Sequence, residues 1–217
     1  LSMILTPLFT IAHDRLLPKA TASTDGLAGP EDERAHLVLI GFGRFGQVVS
    51  QTLFARGYAI TTIDRDPEMI TTARSFGFKV FYGDGTRLDI LHAAGVREAR
   101  AVVIAVDDRA AATRIAHLLR AECPLIPVLA RAYDRGHAME LIAAGVGFQM
   151  RETFESALAL GAEALHRLGE PPEAVEGTIA EVRRRDAERL ALQTTGGIRA
   201  GRDLMLVAPG MATENSG

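Results

Sequence analysis

Short apolar runs alternate along this chain with longer segments whose apolar residues recur at helical spacing. The short runs have the length and composition of buried strands, and they are His36–Ile40, Ala59–Asp64, Lys79–Tyr82, Ala101–Val106, Ile126–Ala130 and Val146–Met150. Because a helical segment separates each run from the next, the pattern predicts an α/β fold with a doubly wound, six-stranded parallel sheet. Pro127 has no N–H to donate, so it must lie at the start of its strand or on a sheet edge.

Several of the predicted helices carry recognisable ends or faces. An amphipathic segment runs from Arg44 to Arg56, and Asp66 followed by Pro67 supplies an N-cap and a proline at the first helical position. After the last predicted strand, the segment Glu152–Leu168 presents a broad apolar surface. The following helix, Glu173–Leu192, is rich in Arg and Glu and is predicted to be peripheral.

Three glycines follow the first predicted strand in the spacing G-x-G-x-x-G. Gly41 permits a tight turn, Gly43 leaves room for a pyrophosphate, and Gly46 lets the next helix pack closely on the strand. The second predicted strand ends in Asp64, an acid at the position where the dinucleotide fingerprint has one. In this strand–loop–helix context the pattern predicts a Rossmann-like nucleotide site. The alternative is a structural turn with chance glycines and a strand-capping acid.

The predicted ligand is an unphosphorylated adenosine compound, NAD(H) or AMP. Its phosphates are expected at the N-terminus of the helix that begins at Arg44, where free N–H groups and the helix dipole stabilise anions. Arg44 can add a charged hydrogen bond, and Phe42 and Phe45 in the same loop are included in the predicted site. The carboxylate of Asp64 favours two free ribose hydroxyls and repels a 2′-phosphate, although Arg65 leaves some room for one.

Two further loops are expected at the same edge of the sheet. Gly83, Asp84 and Thr86 follow the third strand and are predicted to lie beside the adenine. Asp84 has a second interpretation as the N-cap of the next helix, and both roles are compatible. Asp107 follows the fourth strand and is included among the ligand-binding residues, while Asp107 and Asp108 together are typical of a helix cap.

Composition excludes some classes of function. The 217 residues contain a single cysteine and carry a net charge of −3, so an intramolecular disulfide framework is excluded and a reducing, intracellular compartment is the simplest interpretation. The sequence has no zinc-type cluster and no large basic patch, so neither a metal nor a nucleic acid is predicted as a partner. It has no recognisable nucleophile set or acid/base pair, and no catalytic residue is predicted.

The two ends of the chain extend beyond the predicted sheet. Residues Leu1–Ala12 are nearly all apolar, but a bilayer span takes about 20 residues. We interpret residues 1–14 as the end of a truncated transmembrane helix, with a buried or amphipathic segment as the alternative. The other predicted boundaries are a linker at 15–35, the nucleotide-binding domain at 36–150, crossover and peripheral helices at 151–192, and a flexible tail at 193–217 with a short strand at 204–207.

Five motifs carry a resemblance to a known family. They are GFGRFGQ (41–47), KVFYGDGTRLDIL (79–91), AVDD (105–108), RAYDRGH (131–137) and RETFESAL (151–158). Together they resemble the RCK family, also called KTN or TrkA-N, in the form found as the regulatory domain of Kef-type glutathione-regulated potassium/proton antiporters. The resemblance covers Leu37 to about Leu168, and the apolar segment 1–14 is similar to the end of the final transmembrane helix of such antiporters.

The resemblance implies regulation rather than catalysis. It implies a homodimer formed through the helix at 152–168, a Rossmann site that binds NAD(H) or AMP, and an attached membrane antiporter domain that this domain gates. The location implied is the cytoplasmic face of the bacterial inner membrane. A small oxidoreductase-like ancillary protein accompanies some members of the family.

Glutathione is a further ligand that the resemblance implies. Glutathione-gated members hold the tripeptide near the dimer interface with basic and amide side chains, and Arg44 and Arg131 match positions suited to its carboxylates. Two residues depart from that pattern, since Tyr133 replaces an Arg and Asp186 replaces an Asn. Both changes disfavour an anionic peptide, so nucleotide binding is predicted ahead of glutathione binding.

Two other functions stay open from the sequence. A soluble TrkA-like subunit of a separate potassium transporter requires the apolar N-terminus to fold into the domain. An NAD-dependent oxidoreductase requires a substrate domain, for which the chain has little remaining length. His137, at the start of a predicted helix, is expected to be a structural hydrogen-bonding residue rather than a pH sensor.

Overall fold

Residues 36–204, described by a computed structural model, form a six-stranded parallel sheet with helices packed on both faces. The strands are β1 (His36–Ile40), β2 (Ala59–Asp64), β3 (Lys79–Tyr82), β4 (Ala101–Ile104), β5 (Val128–Ala132) and β6 (Phe148–Arg151). Their order across the sheet is β3-β2-β1-β4-β5-β6. After β3 the chain therefore returns to the middle of the sheet, and β4 pairs with β1 on the side opposite β2. This is the strand order of the Rossmann fold, and the predicted fold class is confirmed.

Seven α-helices and one 3₁₀ turn connect or follow the strands. They are α1 (Arg44–Phe54), α2 (Pro67–Ser75), α3 (Leu88–Ala93), α4 (Arg109–Glu122), α5 (Arg135–Ala143), α6 (Glu152–Arg167), α7 (Pro172–Gly196) and the 3₁₀ turn Arg202–Leu204. None of these described helices combines the length and the apolar character needed to cross a membrane.

The sheet divides the core into two layers. On one face, α1 and α2 cover a cluster that includes Leu39, Phe42 and Phe78, and the rings of Phe42 and Phe78 meet edge to face with centroids 5.6 Å apart. On the other face, residues of α3, α4 and α5 pack on Val38 and Ile104. A parallel sheet covered on both faces needs apolar residues in consecutive strand positions, which explains the continuous apolar runs of β1 and β4.

The first three strands have their predicted bounds, whereas the later three are shifted by one or two residues. β5 begins at Val128 because Pro127 contributes only its carbonyl, which accepts a hydrogen bond from the N–H of Val102 at 2.9 Å. β4 ends at Ile104, and the next two residues pack closely beneath Gly41 instead of extending the strand.

Helix α7 is more than the peripheral element predicted. It contains 25 residues and buries Val175, Leu190 and Gln193, of which Leu190 joins the core layer under α4 and α5. Gln193 lies inside this helix rather than in the tail predicted to begin there, and its amide donates to the carbonyl of Ile198 at 2.6 Å. The composition of this Arg- and Glu-rich helix did not indicate these contacts because only three of its 25 residues are buried.

Several predicted segments lie outside the described residues. These are the transmembrane end at 1–14, the linker at 15–35 and residues 205–217 of the tail, including most of the short strand predicted at 204–207. Leu204 itself belongs to the 3₁₀ turn.

Candidate functional site

The candidate site is a cleft of about 380 Å³ at the carboxyl ends of the neighbouring strands β1 and β4, where the loops that follow them separate. Open α/β sheets bind ligands at this switch point, because the loops that follow the two strands turn to opposite faces of the sheet. We call it the glycine-loop cleft, and its lining includes nine of the predicted ligand residues: Gly41, Gly43, Arg44, Asp64, Arg65, Gly83, Asp84, Thr86 and Asp107.

Each glycine of the loop meets a different steric demand. Gly41 has φ +97°, and a Cβ there would stand 2.8 Å from the backbone nitrogen of Val106. A Cβ on Gly46 would overlap the carbonyl oxygen of Gly41, so this residue must be glycine for α1 to approach the loop. Gly43 differs, since a Cβ there would meet nothing within 4 Å. The protein therefore leaves open space above Gly43, where the fingerprint expects a phosphate.

Asp64 ties the end of β2 to the glycine loop. Its Oδ2 accepts a hydrogen bond from the backbone N–H of Phe42 at 2.6 Å, and its Oδ1 accepts one from Asp66 at 2.9 Å. A carboxylate oxygen has two lone pairs, so each oxygen keeps one acceptor site for a ribose hydroxyl. Asp64 thus has a structural role beside the predicted ligand role.

The loop after β3 is closed by Asp84. Its Oδ1 accepts from the N–H of Thr86 at 2.8 Å, and this bond holds the pKa of the Asp84 carboxyl below its ordinary value. The interpretation of Asp84 as a helix N-cap is wrong, because α3 begins at Leu88 and its N-cap residue is Arg87. The short side chain of Asp84 instead stabilises its own turn two residues ahead.

The charges around the cleft are unevenly paired. Arg44 and Arg65 are exposed, and neither forms an ion pair within the part of the chain that the structure describes. Asp108 caps α4 by accepting from the N–H of Ala111 at 2.8 Å, as predicted, whereas Asp107 pairs with Arg131. Arg44, beside the N-terminus of α1, is therefore free to meet an anionic group.

Four predicted residues do not line the cleft. Phe42 and Gly46 are buried beneath it, Phe45 lies in the first turn of α1, and Arg131 stands beside it on β5. The guanidinium of Arg131 lies 5.4 Å from the ring centroid of Phe45. These four residues shape the cleft or adjoin it.

Other residues of the cleft were not predicted from the sequence. Gly85 lies where a Cβ would press within 2.5 Å of Ile40, and Gln47 donates to the carbonyl of Phe42 at 3.2 Å and contacts the sulfur of Met69. Gly85 belongs to the same GDGT loop as Gly83 and was the one recognisable signal. Gln47 and Met69 occupy ordinary helical positions, and nothing local distinguishes them.

No set of three or more His, Cys, Asp or Glu side chains within residues 36–204 is arranged to hold a metal ion. His137 is buried in the first turn of α5, and its Nδ1 accepts from the N–H of Tyr133 at 3.0 Å. Burial lowers the pKa of this imidazole. These contacts agree with a structural histidine.

A family model described as the TrkA-N domain matches residues 37–150, which contain the whole glycine-loop cleft. The chain belongs to the TrkA-N domain family. The predicted membership is thereby confirmed.

Relatives of this TrkA-N domain extend the comparison. A glutathione-regulated potassium-efflux system protein of Haemophilus influenzae is 45% identical over 159 residues, covering 73% of this chain and 26% of that protein. The chain therefore spans about a quarter of the length of this relative. The solved structure of the Shewanella denitrificans Kef CTD in AMP bound form is 38% identical with a TM-score of 0.68, covering 73% of this chain and 98% of that one. A GsuK structure bound to ADP is 25% identical with a TM-score of 0.56, covering 62% and 35%.

A second cleft lies beside the first, at the ends of β5 and β6. This arginine cleft has a volume of about 470 Å³ and is lined by residues 131–135, 151–154 and Ala157. Its arginines include Arg135 and Arg151, which both pair with Asp186 of α7. The side chain of Asp186 is only 12% exposed. The acid that departs from the family pattern is therefore compensated by two arginines from other elements, a partnership that sequence inspection did not reveal.

The remaining departure from the family pattern, Tyr133, lies at the rim of the arginine cleft. Its side chain is largely exposed. The structure thus brings Arg131 and Tyr133 to the same cleft, whereas Arg44 lines the other one.

Proposed function

We propose that this chain is the nucleotide-binding regulatory domain of a membrane potassium/proton antiporter, controlled by NAD(H) or AMP. The observation that carries the proposal is the glycine-loop cleft itself. Its loop leaves space over Gly43, its helix N-terminus faces that space, and the carboxylate of Asp64 stands at the end of the neighbouring strand. These features suit a phosphate and a ribose held at a fixed separation.

The proposed ligand contacts are the nine predicted residues that line the glycine-loop cleft, with the adenosine on the β2 side of the cleft. Asp64 accepts from the ribose hydroxyls, Asp84 and Thr86 lie near the adenine, and Arg44 meets the phosphate. The AMP-bound relative supports AMP as a ligand because it is similar to this chain over nearly its whole length. The same carboxylate disfavours NADPH, whose 2′-phosphate would meet a fixed negative charge.

Homodimerisation through α6 is part of the proposal. Leu158 faces its own domain and is buried, whereas Leu160 is 73% exposed on the opposite side of the helix. Ala157, Ala159 and Ala164 are also exposed. A helix with apolar residues on two faces is suited to packing against a second copy of the chain.

Control of the antiporter follows from binding without chemistry. A ligand that prefers one arrangement of the dimer shifts the population by its difference in binding free energy, and an attached membrane domain responds. We place the domain on the cytoplasmic face of a bacterial inner membrane, as the family resemblance implies. Glutathione and an oxidoreductase-like protein are further candidate partners, and no catalytic turnover is proposed.

Calorimetric titration with AMP, NADH, NADPH and glutathione tests the proposal. AMP and NADH are expected to bind, and NADPH is expected to bind at least about tenfold more weakly because of Asp64. Gly43→Ala should abolish binding by filling the space over the loop. Gly177→Ala is the matched control. A Cβ added at Gly177 also meets nothing within 4 Å, but this residue lies on α7, away from the cleft.

Binding of neither nucleotide to the unchanged chain would reject the regulatory site and leave a dimerisation module. A glutathione signal would add redox control through the arginine cleft. Turnover of NADH with a carbonyl substrate would contradict the regulatory proposal and favour an oxidoreductase.

A further inference from the structure

Arg131 stands between the two clefts and pairs with one residue of each. On one side it pairs with Asp107, which lines the glycine-loop cleft. On the other side its Nη2 lies 2.6 Å from Glu152, the first residue of α6, in the arginine cleft. The Arg131 side chain is 19% exposed, whereas that of Asp107 is 81% exposed. The arginine is therefore held in place while its acidic partner is accessible to a ligand.

The strand order decides which ligands extend as far as Asp107. Asp64 ends β2 and Arg131 lies in β5, on opposite sides of the switch point between β1 and β4. When Asp64 holds the adenosine, a mononucleotide extends only as far as its phosphate on the glycine loop. A dinucleotide continues across the crevice, because the two halves of a Rossmann sheet hold its two halves. Its second ribose then lies on the side of Asp107.

The guanidinium is also close to the phosphate region. It lies over the ring of Phe45, the second residue of α1, at 5.4 Å. Its Nη1 pairs with Asp107 and its Nη2 pairs with Glu152, so the two carboxylates share one planar guanidinium. A ligand that binds Asp107 therefore changes the strength of the pair between Arg131 and Glu152.

We propose that Arg131 is the positioning residue through which helix α6 distinguishes a bound dinucleotide from a bound mononucleotide. The inference rests on the proposed nucleotide site. The hydroxyls of the second ribose hydrogen-bond to the Asp107 carboxylate and weaken its pair with Arg131, so the guanidinium pairs more strongly with Glu152. Since Glu152 begins α6, the first turn of that helix is held more firmly when NAD(H) is bound than when AMP is bound.

Amide hydrogen exchange in residues 152–157 of the 217-residue chain tests the inference, with AMP and NADH at saturation. NADH is expected to slow exchange there about tenfold, the order expected for one strengthened charged hydrogen bond, and AMP is expected to leave it unchanged. Arg131→Met should remove the slowing of exchange at an NADH concentration that saturates this variant by calorimetry. Arg131→Lys keeps the charge without the fork and should restore only part of the response.

The matched control is Arg183→Met. It removes the 2.8 Å pair between Arg183 of α7 and Glu155 of α6, and both residues lie outside the two clefts. It should retain the full response to NADH. An undiminished response in Arg131→Met, an equal response to AMP, or bound NADH without any response would each overturn the inference alone. If neither nucleotide binds the unchanged chain, the proposed function fails and the inference with it.

Discussion

The glycine-loop cleft and the arginine cleft lie at the same edge of the sheet but are held together differently. In the first, Asp64 accepts hydrogen bonds from the backbone N–H groups of Phe42 and Asp66, and a second acid, Asp84, closes its own turn. In the second, Asp186 on α7 joins Arg135 and Arg151, which lie 51 and 35 residues away in the chain. The first cleft is built from short loops that follow four neighbouring strands, and the second depends on where a distant helix docks.

This difference has an energetic consequence. Hydrogen bonds that backbone amides donate to a carboxylate shape a site but involve little buried charge. The Asp186 pairs remove three charged groups from most of their water, so they stabilise the fold only while all partners stay in place. The arginine cleft should therefore tolerate substitution poorly, and the glycine-loop cleft should lose ligand affinity before it loses stability.

The largest expected effect is that of Asp186→Ala. It leaves Arg135 and Arg151 partly buried without their carboxylate, which should lower the free energy of unfolding by about 3 to 4 kcal/mol. Urea denaturation measures the change. Asp89→Ala is the control, because its pair with Arg87 is exposed and should change stability by less than about 0.5 kcal/mol. Similar effects of the two substitutions would remove the contrast between the clefts.

Gly46→Ala tests how much the packing of the glycine loop contributes to stability. The added Cβ would overlap the carbonyl oxygen of Gly41, which is backbone, so the substitution should destabilise the domain by about 2 to 3 kcal/mol. Gly177→Ala, in the exposed part of α7, should instead stabilise it by about 0.5 to 1 kcal/mol. Thermal unfolding of both variants checks the pair. A harmless Gly46→Ala would show that α1 can move away from the loop.

Asp64→Ala should affect affinity. Loss of the charged hydrogen bond to the ribose should weaken AMP and NADH binding by about 1.5 to 3 kcal/mol. Calorimetry measures the affinity, and Asp89→Ala is again the control. Unchanged affinity would mean that the ribose lies elsewhere and that Asp64 serves only to hold the loop.

The adjacent acids Asp107 and Asp108 should differ in their contributions to the free energy of unfolding, and both contributions should be smaller than the effects above. Asp108→Ala removes the N-cap of α4 and should cost about 1 kcal/mol of unfolding free energy. Asp107→Ala removes an exposed partner of Arg131 and should cost less than about 0.5 kcal/mol. Denaturant unfolding of the two variants side by side gives the answer. An equal cost would assign a capping role to both acids.

The smallest effect concerns pH. The bond from Thr86 lowers the pKa of Asp84 in the folded state, so Asp84 contributes stability above the pKa that it has when unfolded. That contribution is lost as the pH falls through the lower folded value. Asp84→Asn should therefore flatten the fall in stability below about pH 4. Denaturation between pH 6 and pH 2.5 tests this, and an unchanged slope would show that the turn is not coupled to protonation.

Prediction from the sequence succeeded where local pattern was sufficient. Strand alternation with helices predicted the doubly wound sheet, and nine predicted ligand residues do line one cleft. Prediction was weaker where a helix end or face had to be chosen, as with Asp84 and the buried face of α7. Helix caps compete with turns for the same short acidic side chain, and only the observed backbone decides between them.

The sequence by itself determined the order of strands and helices, the glycine loop and the family, because these depend on periodicity, backbone freedom and contiguous motifs. The tertiary structure alone decided that Asp186 is neutralised by two arginines, that Gln193 is buried, and that Arg131 bridges the two clefts. Each of these facts joins residues far apart in the chain. Their partners depend on how helices dock on the completed sheet, and no local pattern records that geometry.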